Sequence, residues 1–335
     1  MSDHHLHPFF SHIYVEDGAR DYPDTSLILA KYPSSEIIPI QRYQEVFNRP
    51  RQNWEKQKQS RKLILAVRKD NFLYEGSSFA PNFNHQNFYY NSLILNCIYD
   101  CDYCFLQGMY PSANIVIFVN GDSYFEATTE QLKKTTPLYL CISYDTDLLA
   151  FSGIIPYPKR WIHFAREHQD LTIELRTKSS SYKFISDIQP SSNVILAWTL
   201  SPVEIADAYE KRTPSLKSRM ETVKRALDDG WQVRLCFDPL LLVPQWQEIY
   251  DRFVDQVFKE LAADKVREVS IGVFRMNSGY LKNIQNSRSD SPILFHPFEK
   301  KENTVTYSEA EQQELKDFVL KKVENHVSKE RIFLT

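Results

Sequence analysis

The chain has 335 residues, with 40 Lys and Arg against 43 Asp and Glu and a net charge of −3 at pH 7. Its 42% hydrophobic and 25% charged content is ordinary for a soluble globular protein, and it is long enough to bury ample core without disulfide staples in one large or two smaller domains. An isoelectric point of about 6.3 is not the global signature of a nucleic-acid binder, although a local basic groove would suffice.

Residues 1–60 are polar and aromatic, with prolines at 8, 23, 33, 39 and 50. Short strands are expected at 13–16 and 36–39, and a helix near 51–60. The start, Met1-Ser2-Asp3-His4-His5, has neither the basic nor the apolar region of a signal peptide. No apolar run approaches the roughly 20 residues that span a bilayer, so no membrane association is expected. A strand is expected at 63–67. Residues 70–90, rich in Asn, Phe, Tyr and Ser without a clean period, read as a long packed loop.

From Leu93 onward short apolar runs alternate with helical stretches. Strands are expected at 93–96, 115–119, 138–142, 172–175, 194–199, 232–237 and 269–273. Helices are expected near 122–134, 159–168, 181–187, 203–209, 215–229 and 245–263. Such alternation implies parallel β/α units and a partial (β/α) barrel. After Asn277 the pattern fades until a helix at 308–326 and a last strand at 331–334. The division is therefore an N-terminal extension over 1–90, a barrel over 91–278 and a C-terminal segment over 279–335. Barrels of this kind carry their sites at the C-terminal ends of the strands. The residues just past each strand are Cys97, Asn120, Asp145-Thr146-Asp147, Thr177-Lys178, Ser201, Asp238, and Arg275 with Asn277.

Three of the five cysteines fall in one run, Cys97-x-x-x-Cys101-x-x-Cys104. Closely spaced thiolates hold iron–sulfur clusters, and three ligands on a four-iron cluster leave one iron open for chemistry. The same positions share one face of a helix and could be a small apolar stripe. Zinc is a third reading, but no fourth ligand pattern follows downstream. Five cysteines with three grouped as ligands fit a reducing cytoplasm better than a disulfide framework. No glycine-rich phosphate loop is present, which argues against nucleotide triphosphate chemistry.

Cys-x-x-x-Cys-x-x-Cys is the signature of radical S-adenosylmethionine (radical SAM) enzymes. The extension Tyr103-Cys104-Phe105-Leu106-Gln107, with Val119-Asn120 after it, resembles the spore photoproduct lyase family. Ile13-Tyr14-Val15-Glu16, Asp21-Tyr22-Pro23, Ala66-Val67-Arg68-Lys69, Thr177-Lys178, the run from Trp198 to Pro239 and the ending Ile332-Phe333-Leu334-Thr335 are similar to that family too. The resemblance implies a partial (β/α)6-type TIM-like barrel with an N-terminal extension. It implies a [4Fe-4S] cluster on Cys97, Cys101 and Cys104, with S-adenosyl-L-methionine on the open iron. Tyr103, Thr146, Lys178, Thr199 and Ser201 become the expected cofactor contacts.

The implied substrate is DNA carrying the methylene-bridged thymine dimer, turned out of the duplex to reach the pocket. The adenosyl radical would take hydrogen from the bridge, and a cysteine, helped by tyrosines, would return one. Cys141, Tyr144 and Tyr103 are the catalytic candidates. One alignment makes Cys141 the donor; another puts Tyr144 in its place. Phe105 stands where the family has a tyrosine, and residues 289–303 differ from its late aromatic and lysine-rich stretch. The partner implied is a low-potential electron donor such as flavodoxin or ferredoxin. The alternatives are a radical SAM enzyme with another substrate, or a non-enzymatic iron–sulfur or zinc protein that binds nucleic acid.

Overall fold

The computed structural model describes residues 10–76 and 81–335, and two sheets organise them. The first runs in the order Glu36–Ile40, His12–Glu16, Leu63–Ala66, Ile115–Phe118, Ile94–Leu95, parallel except for the last pair. Leu63–Ala66 and Ile115–Phe118 are buried throughout, as their unbroken apolar runs require in the middle of a covered sheet.

The second sheet runs Ile332–Leu334, Glu268–Val273, Gln232–Leu240, Val194–Thr199, Leu171–Thr177, Leu138–Cys141, Phe88–Tyr90, Tyr74–Glu75. Its neighbours are parallel except for the terminal Tyr74–Glu75, and it curls into a half-barrel. Connecting helices cover its outside with one apolar face each. In Tyr157–Glu167 the buried Trp161, Ile162 and Ala165 recur at helical spacing. In Leu216–Asp228 the same is true of Leu216, Met220, Val223 and Leu227.

Three strands are also joined by charge. The fully buried Arg234 donates from Nε to Glu268 Oε1 at 2.7 Å and from a terminal nitrogen to the Tyr139 hydroxyl at 2.7 Å, and it pairs with Glu174. Removing one partner from such a set would strand a buried charge, a loss of about 3–5 kcal/mol.

Several expectations shift. The strands expected at 93–96 and 115–119 belong to the first sheet, because an apolar run does not say which sheet it joins. Within the expected loop 70–90, Phe88–Tyr90 and Tyr74–Glu75 extend the half-barrel instead. Only a short 3-10 turn, Tyr182–Phe184, forms where a helix was expected near 181–187. A helix at Pro23–Leu29 begins on its own proline, a favoured first position. Past Asn277 lie a helix, Ser278–Ser287, and a hairpin, Glu299–Lys301 with Thr304–Thr306. Among the described residues no helix is long and apolar enough to cross a membrane.

Candidate active site

The C-terminal ends of the half-barrel strands enclose a cavity of about 440 Å3. Cys97, Cys101 and Cys104 line it, as do Tyr103, Thr146, Lys178 and Thr199, and so do Cys141 and Tyr144. Residues from four separate stretches of sequence thus share one space. Asp238, Arg275 and Asn277 also reach it. Asn120 does not: its side-chain amide accepts from the Arg68 N–H and donates to the Arg68 carbonyl, tying two loops together. Nor does Ser201 line it: its hydroxyl donates to Glu210 at 2.8 Å.

The backbone carbonyls of the cysteine loop are held by groups outside the cavity. While the thiols line the cavity, Arg61 donates to the carbonyls of Cys97 at 3.0 Å, Ile98 at 2.6 Å and Tyr99 at 3.2 Å. Lys58 reaches Tyr99 O and Asp100, and Arg288 pairs with Asp100 and with Asp102 at 2.8 Å. Gln107 donates to the Cys101 carbonyl at 2.6 Å and accepts from Arg288. The loop start, Asn96, takes positive φ and donates to Ser112 and Asn114 carbonyls. Behind the loop, Gly108 lies against Ser278–Ser287: a Cβ there would sit 2.3 Å from the Tyr280 carbonyl oxygen, so only glycine permits the approach.

Burial pushes the Cys97 thiol up to about 12 and raises Cys101 and Cys104 too. All five cysteines are free of disulfides. Thiols in this state lose their protons on binding metal. Among the described residues no three His, Cys, Asp or Glu side chains converge on one point as ligands of a single ion would.

Tyr103 is buried, and its hydroxyl donates to Glu210, which also pairs with the fully buried Arg219 at 2.5 Å. Glu210 faces Cys101 across a short antiparallel pairing. Burial would raise the Glu210 carboxyl, but Lys178 and Arg219 outweigh it and hold it below its ordinary value. Burial would lower Lys178, but Glu210 and Cys101 hold it above. Lys178 therefore stays cationic, with its ammonium 5.4 Å from the centre of the Tyr103 ring.

Asp147 joins two strand ends. It accepts from Thr177 Oγ1 at 2.7 Å, from the Lys178 N–H at 2.6 Å and from the Ala150 N–H at 3.1 Å. Thr146 donates to the Asn96 carbonyl at 2.8 Å, which fastens this loop to the cysteine loop.

Cys141 is buried at the end of its strand, in register with Tyr90 on one side and Glu174 on the other. Burial, then Glu174, pushes its thiol up to about 12. Tyr144 packs its ring 4.2 Å from Tyr90 and 5.8 Å from Phe105. Glu210, Arg61 and Tyr90 carry no sequence signal of their own: Tyr103, Cys97 and Tyr144, the cavity residues they touch, are distant from them in sequence.

A curled parallel half-barrel with a three-cysteine loop lining its cavity is the radical SAM fold. The chain belongs to the spore photoproduct lyase family, whose family model matches residues 9–333. It is 22% identical over 343 aligned positions to a spore photoproduct lyase of Clostridium acetobutylicum, across 96% of this chain and 98% of that one. A solved spore photoproduct lyase complexed with dinucleoside spore photoproduct superposes with a TM-score of 0.83 at 16% identity, covering 98% of this chain and 99% of that chain. A lyase variant with bound AdoMet and the same dinucleoside gives 0.82 at 16%, over the same shares.

Proposed function

We propose that this protein is a radical SAM lyase that reverses the methylene-bridged thymine photoproduct in DNA. One observation carries the reading: the three thiols of the cysteine loop line the same cavity as the buried thiol of Cys141. Family membership over nearly the whole chain supports it.

Cys97, Cys101 and Cys104 would hold a [4Fe-4S] cluster. The donor set is right for it: three cysteines of one loop line the cavity, and three thiolates on a four-iron cluster leave one iron open. When bound, the cluster and S-adenosyl-L-methionine supply one-electron cleavage to a 5′-deoxyadenosyl radical. A low-potential protein such as flavodoxin or ferredoxin would be the source of the electron.

The chain's own groups bind and orient. Lys178 sets a cation beside the cysteines, where it can neutralise a carboxylate. Tyr103 presents a ring held still by Glu210. Thr146 and Thr199 present polar groups to the cavity, and Asp147 fixes the backbone between Thr146 and Lys178. Cys141 keeps its proton near neutrality, the state a hydrogen-atom donor needs: its S–H bond breaks as a new C–H bond forms on the substrate carbon radical. Tyr144, beside Phe105, supplies the phenol that Phe105 lacks.

The test is anaerobic reconstitution followed by dithionite, S-adenosyl-L-methionine and dinucleoside spore photoproduct. Release of two thymidine units with 5′-deoxyadenosine supports the reading. Formation of 5′-deoxyadenosine with the lesion intact would favour another substrate, the reading that Phe105 itself motivates.

A further inference from the structure

The outer side of the cysteine loop carries a concentration of positive charge that the cavity does not use. Lys58, Arg61, Lys211, Arg212 and Arg288 come from three separate stretches of sequence, and none lines the cavity. They are tied into one group. Lys58 and Arg288 meet on Asp100, Lys211 reaches Asp102 at 3.4 Å, and Arg212 donates to the Lys58 carbonyl at 3.1 Å. Five cations thus face two carboxylates in a chain whose net charge is −3. Lys58, Arg61 and Arg288 are buried, and Lys211 and Arg212 carry the surplus to solvent.

We infer that this face, presented by Lys211 and Arg212, is the docking surface for a small acidic protein that donates single electrons. The inference rests on the cluster reading above. A cluster at Cys97, Cys101 and Cys104 has cofactor and substrate on its cavity side. The loop backbone and the Arg61–Lys58 layer separate it from solvent on the other. An electron arriving from a protein partner therefore enters most directly through this basic layer, leaving the cavity mouth free. The transfer is one electron from the reduced partner to the oxidised cluster, with no bond made or broken. A matching acidic patch would be steered here, raising association about 10- to 10³-fold, with strong dependence on salt. DNA is the other polyanion a basic face can attract. The face lies outside the cavity, so bound DNA there would not present a base to Cys141.

The experiment uses the reconstituted protein with reduced flavodoxin as the probe. It measures flavodoxin affinity and the rate of 5′-deoxyadenosine formation, in wild type and in Lys211→Glu/Arg212→Glu. Lys211→Gln/Arg212→Gln is a milder second variant should charge reversal disturb the loop, with the brown cluster absorbance as the check. The expected result is about tenfold or greater loss of affinity and of flavodoxin-driven rate, in line with lost steering, and a flattened salt dependence. The rate with dithionite should stay at the wild-type level. Wild-type affinity for flavodoxin in both variants, or a DNA duplex that competes with flavodoxin for this face, would overturn the inference. Failure of dithionite to yield any 5′-deoxyadenosine would strike the proposed function instead, and the affinity titration would still decide the surface.

Discussion

The Tyr103 hydroxyl donates to Glu210, and Glu210 is the group that neutralises the fully buried Arg219. An aromatic ring beside the cysteines is thereby anchored to a charge pair more than a hundred residues away in sequence. Glu210→Ala leaves Arg219 buried and unpaired, and should cost about 3–5 kcal/mol in thermal unfolding. Tyr103→Phe leaves Glu210 its other two partners, Ser201 and Arg219, and should cost only about 1 kcal/mol. Equal melting of the two variants would contradict this ordering.

Arg61 orients the cysteine loop by binding three consecutive carbonyls, the role outer groups play around metal ligands. Arg61→Ala should retain its fold but hold the cluster about 10- to 100-fold less tightly, read as iron lost during chelator challenge. Iron retention equal to wild type would remove that role.

Cys141 and Tyr144 can be separated by isotope. A thiol proton exchanges with solvent, so turnover in deuterated water should leave deuterium in the repaired thymine. Cys141→Ala should abolish that label while 5′-deoxyadenosine still forms, and Tyr144→Phe should slow repair without abolishing the label. Undiminished label in Cys141→Ala would pass the donor role to another group.

Asp145 is buried, and burial raises its carboxyl to about 6 against the hydrogen bonds from Ser92 and Tyr110 that lower it. Its folded value lies above its unfolded one, so the folded chain binds the extra proton between about pH 4 and 6. This group's contribution to stability is greatest at the acid end of that window and falls as pH rises through it, by on the order of 3 kcal/mol. Asp145→Asn should remove that slope from the pH dependence of unfolding. An identical slope in the variant would show that another group sets it.

Much of this was legible because local chemistry decided it. The strands at Val194–Thr199 and Glu268–Val273 are apolar runs with no competing reading, and the cysteine spacing confines three thiols to one loop. What could not be read depends on distance. Nothing near Leu95 or Val116 says that they pair antiparallel in the first sheet. The helix Ser278–Ser287 has a sequence signal, Asn277 capping the Gly279 and Tyr280 N–H groups, but only Leu281 and Ile284 are buried on it, so its apolar stripe is faint. Ser201 follows a strand, as the cavity residues do, yet it does not line the cavity. Its hydroxyl is taken by Glu210, which belongs to a separate short pairing with Cys101 outside the barrel sheet.

The most direct measurement is the iron and sulfide content of protein purified and reconstituted without oxygen, beside Cys101→Ala. The account predicts about four irons and four sulfides per wild-type chain, with the brown colour lost in the variant. A colourless, metal-free wild-type protein that is nonetheless folded would contradict it.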